Sequence, residues 1–440
     1  MKRREFLTGT SLAVGVSALA SNSLLAAEQK ISKHSDLKPL ASGDWSAFRD
    51  LFPLRNDQIQ LASFLLTSHP KPVTDAINAY RQALDYDPVG TLYSMYSTID
   101  GKVRDSVAQY MGTSGDQIAL TDSTTMGLAM VYSGLSLQPG DEILHTTHYH
   151  YSTFMSIARR AERTGAKVRQ VSLYDNPFDV SVDESVKRLV NGISDATKVI
   201  GVTWVHSSTG VKLPIRALSD AINKINAKRA SDRQIIFCVD GVHGFGIENI
   251  DISALACDFF IAGTHKWIFG PRGTGIIWGS AKGWEQCKPV VPGFGRSGAV
   301  WRGTASLDEV PPGEHMTPGG FHSFEHRWAL PEAFKLHLQL GKAQIQKRIH
   351  QLNTQTKLAL SVIPNVKLYT PISTELSSGF VCFDINGMAQ IDVVKNMYGQ
   401  GVVMSNTPYR ESYARFAPSL FNDEKQIAQA VEKIAILANK

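Results

Sequence analysis

Cysteine, clustered charge and long apolar runs are all scarce in this 440-residue chain. The formal net charge is +5 and no dense group of Lys and Arg occurs, which argues against a nucleic-acid partner. No CxxC spacing indicates a metal site, and the mostly apolar neighbours of the cysteines favour burial over disulfides. The hydrophobic content of 43% is ample for one large core and a second domain. The four cysteines are Cys238, Cys257, Cys287 and Cys382.

Residues 1–27 have the pattern of an export signal. The segment begins with basic residues, continues with the sequence RREFL from Arg3 and an apolar stretch, and ends in small residues near Ala27. The apolar stretch is too short and too rich in Ser and Gly to form a convincing membrane-spanning helix. We predict a twin-arginine signal, read by the twin-arginine export machinery, and therefore a periplasmic protein. An ordinary secretory signal or an uncleaved anchor is the alternative.

Apolar segments alternate with helical patterns between Gln117 and Trp278, as in a doubly wound α/β fold with a mainly parallel sheet. A Gly/Pro-rich connector near residue 300 is followed by long helical patterns, a strand pair near residues 379–385 and 401–406, and a last helix. The seven predicted strands of the sheet are QIAL, DEILHTT, KVRQVSL, KVIGVTWV, QIIFCV, DFFIAGT and GTGIIWG.

These patterns divide the chain into four parts. After the signal at 1–27 we predict an N-terminal arm at 28–60, because that segment is polar and weakly patterned. A large domain at 61–329 contains the sheet. A smaller C-terminal α+β domain occupies 330–440.

Two residues, Asp240 and Lys266, lie at the ends of neighbouring predicted strands. Ligands bind in open α/β sheets at the carboxyl ends of the strands, so this acid and this amine are expected at one site. A lysine in such a place can form a Schiff base with pyridoxal phosphate, while a carboxylate keeps the pyridine nitrogen protonated. A strand-end acid in a turn and a surface lysine are the alternative for either residue alone.

The sequence VDGVHGFG, followed by GTHKWIFGPRGTGIIWG, resembles the fold-type I pyridoxal phosphate enzymes of the class V aminotransferase and cysteine desulfurase-like group. The resemblance extends from about Leu61 to the C-terminus and is closest to the isopenicillin N epimerase-like branch. It implies a seven-stranded sheet with helices on both faces, pyridoxal 5'-phosphate as cofactor, and a homodimer with shared active sites. Lys266 would carry the cofactor, with Asp240 and His243 among the residues that bind it.

Further residues are implied to bind the phosphate. The segment TDSTTMGLAM follows a strand and leads into a helix, whose N-terminal amides suit a phosphate. The resemblance assigns Thr124 and Thr125 to this helix and His265 to the phosphate, although simple N-capping would use the same hydroxyls. Gly263 stands where desulfurases carry a serine, which leaves open whether Thr264 replaces that hydroxyl.

Two more positions are implied to contact the cofactor ring. Aligning LHTTHYH with the family places His150 over the ring, where it would stack and relay protons, with His148 as the alternative. Ser207 falls where many members keep an asparagine near the phenolic oxygen, and this departure leaves His206 as the other candidate.

The C-terminal sequence YARFAPSLF resembles the signature that contains a substrate-binding arginine, here Arg415. A guanidinium matches both oxygens of an α-carboxylate, while a structural ion pair is the alternative. Desulfurases attack sulfur with a cysteine from the preceding loop, but MSNTPYRESYARF contains none. The resemblance therefore predicts an enzyme that does not form a persulfide.

The predicted function is pyridoxal phosphate-dependent chemistry at the α-carbon of an amino acid or a peptide-linked amino group, of the aminotransferase, epimerase or lyase kind. One alternative is an exported enzyme similar to those that tailor pyoverdine-type siderophores at a glutamyl group. A non-catalytic binding protein that retains the fold is the alternative of another class.

The export signal generates the first testable prediction. Replacement of Arg3 and Arg4 by lysines should leave folded, cofactor-loaded protein inside the cell, because the twin-arginine pathway reads the arginine pair. Cell fractionation with absorbance of the purified protein measures this. Continued export of the double variant through the general secretory route would contradict the prediction.

Overall fold

The computed structural model describes residues 40–95 and 98–439. The predicted export signal and the first part of the predicted arm lie outside these residues. Among the described residues, no helix combines the length and the apolar content needed to cross a membrane.

Helices and strands alternate along most of the described chain. The strands are β1 (Ile59–Gln60), β2 (Ile118–Thr121), β3 (Glu142–Thr146), β4 (Lys167–Val171), β5 (Thr197–Thr203), β6 (Ile236–Asp240), β7 (Phe259–Gly263), β8 (Gly275–Gly279), β9 (Val366–Leu368), β10 (Val381–Ile385), β11 (Val402–Val403), β12 (Ser405–Asn406) and β13 (Ala414–Phe416). The helices are α1 (Trp45–Arg49), α2 (Lys71–Tyr86), α3 (Pro88–Met95), α4 (Ile99–Met111), α5 (Thr124–Gly134), α6 (Tyr151–Thr164), α7 (Val182–Gly192), α8 (Ile215–Asn226), α9 (Ile252–Leu255), α10 (Ala281–Glu285), α11 (Arg296–Trp301), α12 (Pro312–Met316), α13 (Phe324–Leu340), α14 (Lys342–Ser361), α15 (Gln390–Gly399) and α16 (Glu424–Ala438).

The large sheet of the described residues has seven strands in the order β2-β8-β7-β6-β5-β3-β4. Strands β3 to β7 pair in parallel, whereas β8 runs antiparallel to both β7 and β2. All seven predicted strands are present in it, so the predicted fold class is confirmed. Because β6 and β7 are neighbours, the chain that follows each of them begins at the same edge of the sheet.

The sheet is buried on both faces, which explains the uninterrupted apolar strands. In β6, Phe237 and Val239 belong to the core on one face, while Ile236 and Cys238 belong to the core on the other. Helices α5 and α6 cover the second face, and α8 and α13 contribute to the first. A parallel sheet between two helical layers has no solvated face, so its strands need no polar alternation.

A smaller sheet of the described residues has the order β12-β13-β10-β9. The sequence predicts a strand pair near 379–385 and 401–406, but the structure differs. Strand β13 lies between β10 and β12, while β11 pairs in parallel with β1 of the predicted arm. Strand β13 is too short to give a clear pattern in the sequence. It nevertheless pairs with a strand on each side, β10 and β12. Arg415, at the centre of β13, is thereby placed in the middle of this sheet.

Four phenylalanines connect the N-terminal segment to the loop after Lys266. Phe269 has a left-handed backbone with φ of 58°. Its ring lies 5.5 Å from that of Phe48 and 5.3 Å from that of Phe52, in edge-to-face geometry. Phe421, from the loop before α16, packs against Phe52 at 5.4 Å. The packing of these rings offsets the strain of the unusual backbone at Phe269.

This cluster generates a stability prediction. The Phe48 side chain is fully buried, so Phe48→Ala should lower the free energy of unfolding by about 3–5 kcal/mol through lost burial and an unfilled cavity. Phe178→Ala is the matched control, because the Phe178 side chain is 41% exposed. This substitution should lower the free energy of unfolding by about 1 kcal/mol or less. Urea denaturation measures both changes, and equal losses would contradict the proposed role of the cluster.

Candidate active site

Asp240 is the last residue of β6, and its carboxylate is buried. The carboxylate accepts hydrogen bonds from the backbone N–H of Val242, at 3.3 Å, and from the Thr153 hydroxyl, at 3.4 Å. Burial raises the pKa of Asp240, while the positive charge of Lys266 opposes this shift. No cation forms an ion pair with Asp240 within the described residues, so the acid is suited to a positively charged ligand group.

Lys266 lies three residues beyond β7, where the chain turns away from the sheet edge. Its Nζ is 3.1 Å from Nε2 of His243, a buried residue in the turn after β6. Burial lowers the pKa of Lys266, Asp240 opposes that shift and Arg415 adds to it. The lowered pKa of about 8 raises the fraction of free amine at neutral pH above that of an ordinary lysine, and the free amine is the nucleophilic form.

Arg415 projects from β13 and is 1% exposed. Its Nε donates to the Ser405 hydroxyl at 3.1 Å, and Nη1 donates to the carbonyl of Ser207. The guanidinium lies over the rings of Phe64 and Phe380, with its carbon 4.4 and 5.1 Å from their centres. Within the described residues no carboxylate pairs with it. The structural ion pair considered as an alternative is therefore absent from this part of the chain.

His150 and His148 both precede α6 but have different surroundings. Nδ1 of His150 accepts from the backbone N–H of Ser152 at 3.3 Å, while the ring itself is exposed. His148 stacks on Tyr174 at 3.7 Å and accepts from the backbone N–H of Leu173 at 3.2 Å. His148 is thus occupied by its neighbours, and His150 is the one whose ring remains available to a ligand.

Ser207 follows β5, and its hydroxyl is 2.8 Å from the hydroxyl of Tyr409. Sequence reasoning did not single out Tyr409, which comes from the loop between β12 and β13. The ring of His206 lies 5.1 Å from that of Tyr409, and Nε2 of His206 is buried without a partner in the described residues. Burial raises the pKa of Tyr409 to about 12 and lowers that of His206 to about 3, so both side chains are neutral near pH 7. The available signal was an aromatic residue in the loop that precedes Arg415.

The N-terminus of α5 lies against the end of β7. Ser123 caps the helix by accepting from the Met126 N–H at 3.1 Å, and the Thr124 hydroxyl accepts from the Gly263 N–H at 2.7 Å. Nδ1 of His265 is buried and has no partner among the described residues. Thr125 is exposed on the first turn of the helix. An N-terminal helix turn beside an unpartnered histidine suits an anion.

Gly263 and Thr264 have different positions relative to the N-terminus of α5. A Cβ at Gly263 would lie 2.9 Å from the His265 ring and 3.0 Å from the Thr124 hydroxyl, so a larger residue would face this same cradle. Thr264 is fully buried, and its hydroxyl is 2.5 Å from that of Thr274. The Thr264 hydroxyl therefore already has a protein partner.

Together these groups fit pyridoxal phosphate. A buried acid, an amine and an anion cradle lie along the edge formed by β6, β7 and α5, which matches a ring nitrogen, an aldehyde and a phosphate. Within the described residues, no His, Cys, Asp and Glu side chains assemble into a group that would hold a metal ion.

The chain is similar to known proteins over most of its length. It is 25% identical over 355 residues to isopenicillin N epimerase from Streptomyces clavuligerus, covering 78% of this chain and 85% of that protein. A probable cysteine desulfurase from Vibrio cholerae is 26% identical over 339 residues, covering 73% and 78% of the two chains. The structure of the cystine C–S lyase C-DES with its product cysteine persulfide has a TM-score of 0.77 at 19% identity, covering 88% and 99%, and establishes similarity of fold.

A family model provides the assignment. The model described as aminotransferase class-V matches residues 66–406, which include the β6, β7 and α5 edge with Asp240, Lys266 and Thr124. Since the match extends over well more than half of the sequence, the chain belongs to the aminotransferase class-V family.

Proposed function

We propose that the protein is a pyridoxal phosphate-dependent enzyme that acts at the α-carbon of an amino acid with a free carboxylate. Pyridoxal phosphate is the cofactor of this family. The observation that carries the substrate proposal is Arg415, a buried cation without an anion partner among the described residues. Because burying a lone charge is costly, an anionic substrate group is its natural partner.

Each residue has a defined role in this proposal. The bound cofactor supplies an electron sink for the substrate's α-carbon. Asp240 would hold the protonated ring nitrogen of the cofactor and stabilise its charge. Lys266 would hold the cofactor through its amine, and its Nζ would hold or return a proton. Arg415 orients the substrate carboxylate with a two-pronged guanidinium contact.

The contacts of His150 favour one tautomer. Nδ1 accepts from the backbone N–H of Ser152 at 3.3 Å and is 2.7 Å from the Ser152 hydroxyl, which can donate to it as well. With Nδ1 as an acceptor, the neutral ring has its hydrogen on Nε2. Surrounding protein lowers the pKa of His150, and the charges of Lys266 and Arg415 lower it further. His150 therefore presents a neutral ring with an Nε2–H donor, suited to stack on the cofactor and to hold a proton near the substrate.

The cysteines support an enzyme that forms no persulfide. All four are buried, and burial raises the pKa of every one of them, so the reactive thiolate is disfavoured. Tyr409, and no cysteine, extends from the loop before Arg415 to Ser207. A nucleophile that attacks substrate sulfur is thus absent from this loop. We include this restriction in the proposal.

A second candidate substrate is a peptide-linked residue, such as the glutamyl group of a siderophore precursor. An open groove of about 630 Å³ beside the Tyr409 loop favours it, since it offers room for an extended ligand. Asp175, Lys367, Arg410 and Tyr413 are among the residues that line this groove. If the reacting residue of such a substrate has its α-carboxylate in an amide, Arg415 would have to bind another acceptor.

Assembly and location complete the proposal. A homodimer is supported by large apolar side chains that are more than half exposed, which monomers rarely display together. These side chains are Tyr86, Tyr93, Phe294, Trp301 and Phe321. The periplasm remains the proposed location on the sequence of the export signal.

Lys266 generates a test of cofactor binding. Lys266→Ala should abolish the absorbance band at about 420 nm, because that band requires the covalent link between cofactor and lysine. In the parent protein, borohydride reduction removes the same band. Lys224→Ala, at an exposed position of α8, is the control and should retain the full band. Peptide mass spectrometry after reduction locates the attachment. Reduced cofactor on any other lysine would refute the assignment.

Arg415 generates a test of the substrate class. Arg415→Ala should lower kcat/KM for a free amino acid by about 30- to 1000-fold, equal to about 2–4 kcal/mol, because a charge-assisted two-pronged contact is lost. Arg415→Lys should recover only part of this loss, since a point charge cannot reproduce the planar fork. The absorbance of the bound cofactor should stay normal in both variants.

The amide of the same amino acid is the decisive control for Arg415. The variants and the parent should be compared on the free acid and on its C-terminal amide by steady-state kinetics. The loss should be large for the acid and small for the amide. Equal losses on the two substrates would show that Arg415 does not bind a carboxylate and would favour the peptide-linked substrate.

A further inference from the structure

Three side chains form a hydrogen-bonded chain that ends at the reactive lysine. The indole Nε1 of Trp267 donates to Nδ1 of His243 at 3.3 Å. On the other side of the same ring, Nε2 of His243 lies 3.1 Å from Nζ of Lys266. Trp267 and His243 are 3% and 6% exposed, so protein surrounds both links and bulk water does not compete for them.

The chemistry of the indole determines the direction of this chain. An indole nitrogen is a donor only, so Nδ1 of His243 must accept and carries no hydrogen. A neutral imidazole then has its hydrogen on Nε2, which therefore donates toward Lys266. Burial lowers the pKa of His243 well below its usual range, which excludes the doubly protonated ring.

An N–H donor directed at Nζ has a consequence for Lys266. An ammonium group has three donors and no acceptor, so it cannot accept the Nε2–H of His243. A free amine has a lone pair and can accept it. Protonation of Lys266 would break this hydrogen bond and place two donors against each other in a buried site, which is costly.

Aromatic packing holds the indole in place. The ring of Phe64 stacks on Trp267 with 14° between the planes, and Phe380 meets both Trp267 and His243 edge to face. Gly379 has φ of 71°, and a Cβ there would lie 3.1 Å from the indole. The backbone therefore approaches the ring closely, and the indole N–H cannot easily turn away from His243.

We propose that Trp267 is a positioning residue that fixes the tautomer of His243 and thereby disfavours protonation of Lys266. In the opposite tautomer, Nδ1 would carry the hydrogen and Nε2 would accept a hydrogen bond from the Lys266 ammonium. The indole N–H excludes this tautomer, because it donates to Nδ1. The use of this amine for cofactor attachment rests on the proposed function, but its protonation does not. The charged and titratable groups that act on Lys266 besides His243 are Asp240, Arg415, His150 and His265.

Trp267→Phe tests the proposal, because phenylalanine keeps an aromatic ring and removes the N–H. His243 can then take the other tautomer and accept from a charged Lys266. The reaction of Lys266 with acetic anhydride is measured against pH in the full-length protein freed of cofactor. The labelling midpoint, which is the pH at which Lys266 reacts at half its maximal rate, should rise by about one unit. At pH 7 the rate at which added pyridoxal phosphate becomes fixed by borohydride should fall about tenfold, as the free-amine fraction falls. An unchanged or lower labelling midpoint would overturn the proposal.

Two control variants separate the tautomer effect from packing. Trp278→Phe also removes one indole hydrogen bond, which Trp278 donates to Thr113 at 3.0 Å in a partly buried position away from the site. This variant should leave the labelling midpoint unchanged. In a His243→Leu background, Trp267→Phe should cause no further shift, because the ring that it acts on is gone. A shift of equal size in that background would show that Trp267 acts through packing, which overturns the proposal.

A measurement on the parent protein makes the test independent of how the variants fold. With nitrogen-15-labelled histidine, the signal missing from His243→Leu identifies His243, and its nitrogen shifts at pH 7 should be those of a neutral ring protonated on Nε2. A signal protonated on Nδ1 would overturn the proposal. Failure of the proposed function can be told apart from failure of this proposal. In the first case the parent would lack the borohydride-sensitive band, while the labelling would still report on Lys266 and the NMR signal on His243.

Discussion

The site depends on two buried charges that the described protein leaves without partners of opposite sign. Asp240 has a carboxylate at the end of β6, and Arg415 has a guanidinium at the centre of β13. Lone buried charges are unfavourable, so the fold stabilises Asp240 by hydrogen bonds from Val242 and Thr153, and Arg415 by a hydrogen bond that it donates to Ser405. In the proposed function, a cofactor with a cationic ring nitrogen and a substrate with a carboxylate would supply the two missing charges.

This constraint explains why the two sheets must meet at the site. Asp240 belongs to the large sheet and Arg415 to the small one, and Arg415 donates to the carbonyl of Ser207, which follows β5. Phe64 and Phe380 lie under the guanidinium and also pack against Trp267 and the ring of His243. The surroundings of Arg415 and the surroundings of Lys266 therefore share one aromatic cluster.

Hydrogen-bond donors constrain the proton positions in the site. The backbone N–H of Ser152 donates to Nδ1 of His150, and the indole N–H of Trp267 donates to Nδ1 of His243. A neutral ring whose Nδ1 accepts has its hydrogen on Nε2. The surrounding protein lowers the pKa of both histidines, which favours the neutral rings. Under our proposal, the donor on His243 disfavours protonation of Lys266, whose free amine is the form that attaches a cofactor.

The sequence by itself determined the sheet, its strands and the residues at its edge, because a parallel sheet buried on both faces requires uninterrupted apolar runs and places the next residue at the ligand edge. It also determined that Asp240 and Lys266 follow neighbouring strands. Tertiary structure alone decided the rest. The structure alone gives the position of β13 between β10 and β12, the Tyr409 contact with Ser207, the stacking of His148 on Tyr174 and the Trp267 hydrogen bond to His243. Each of these joins residues that are distant in the sequence. Local periodicity reports which face of an element is apolar, but it does not report which distant donor meets which acceptor.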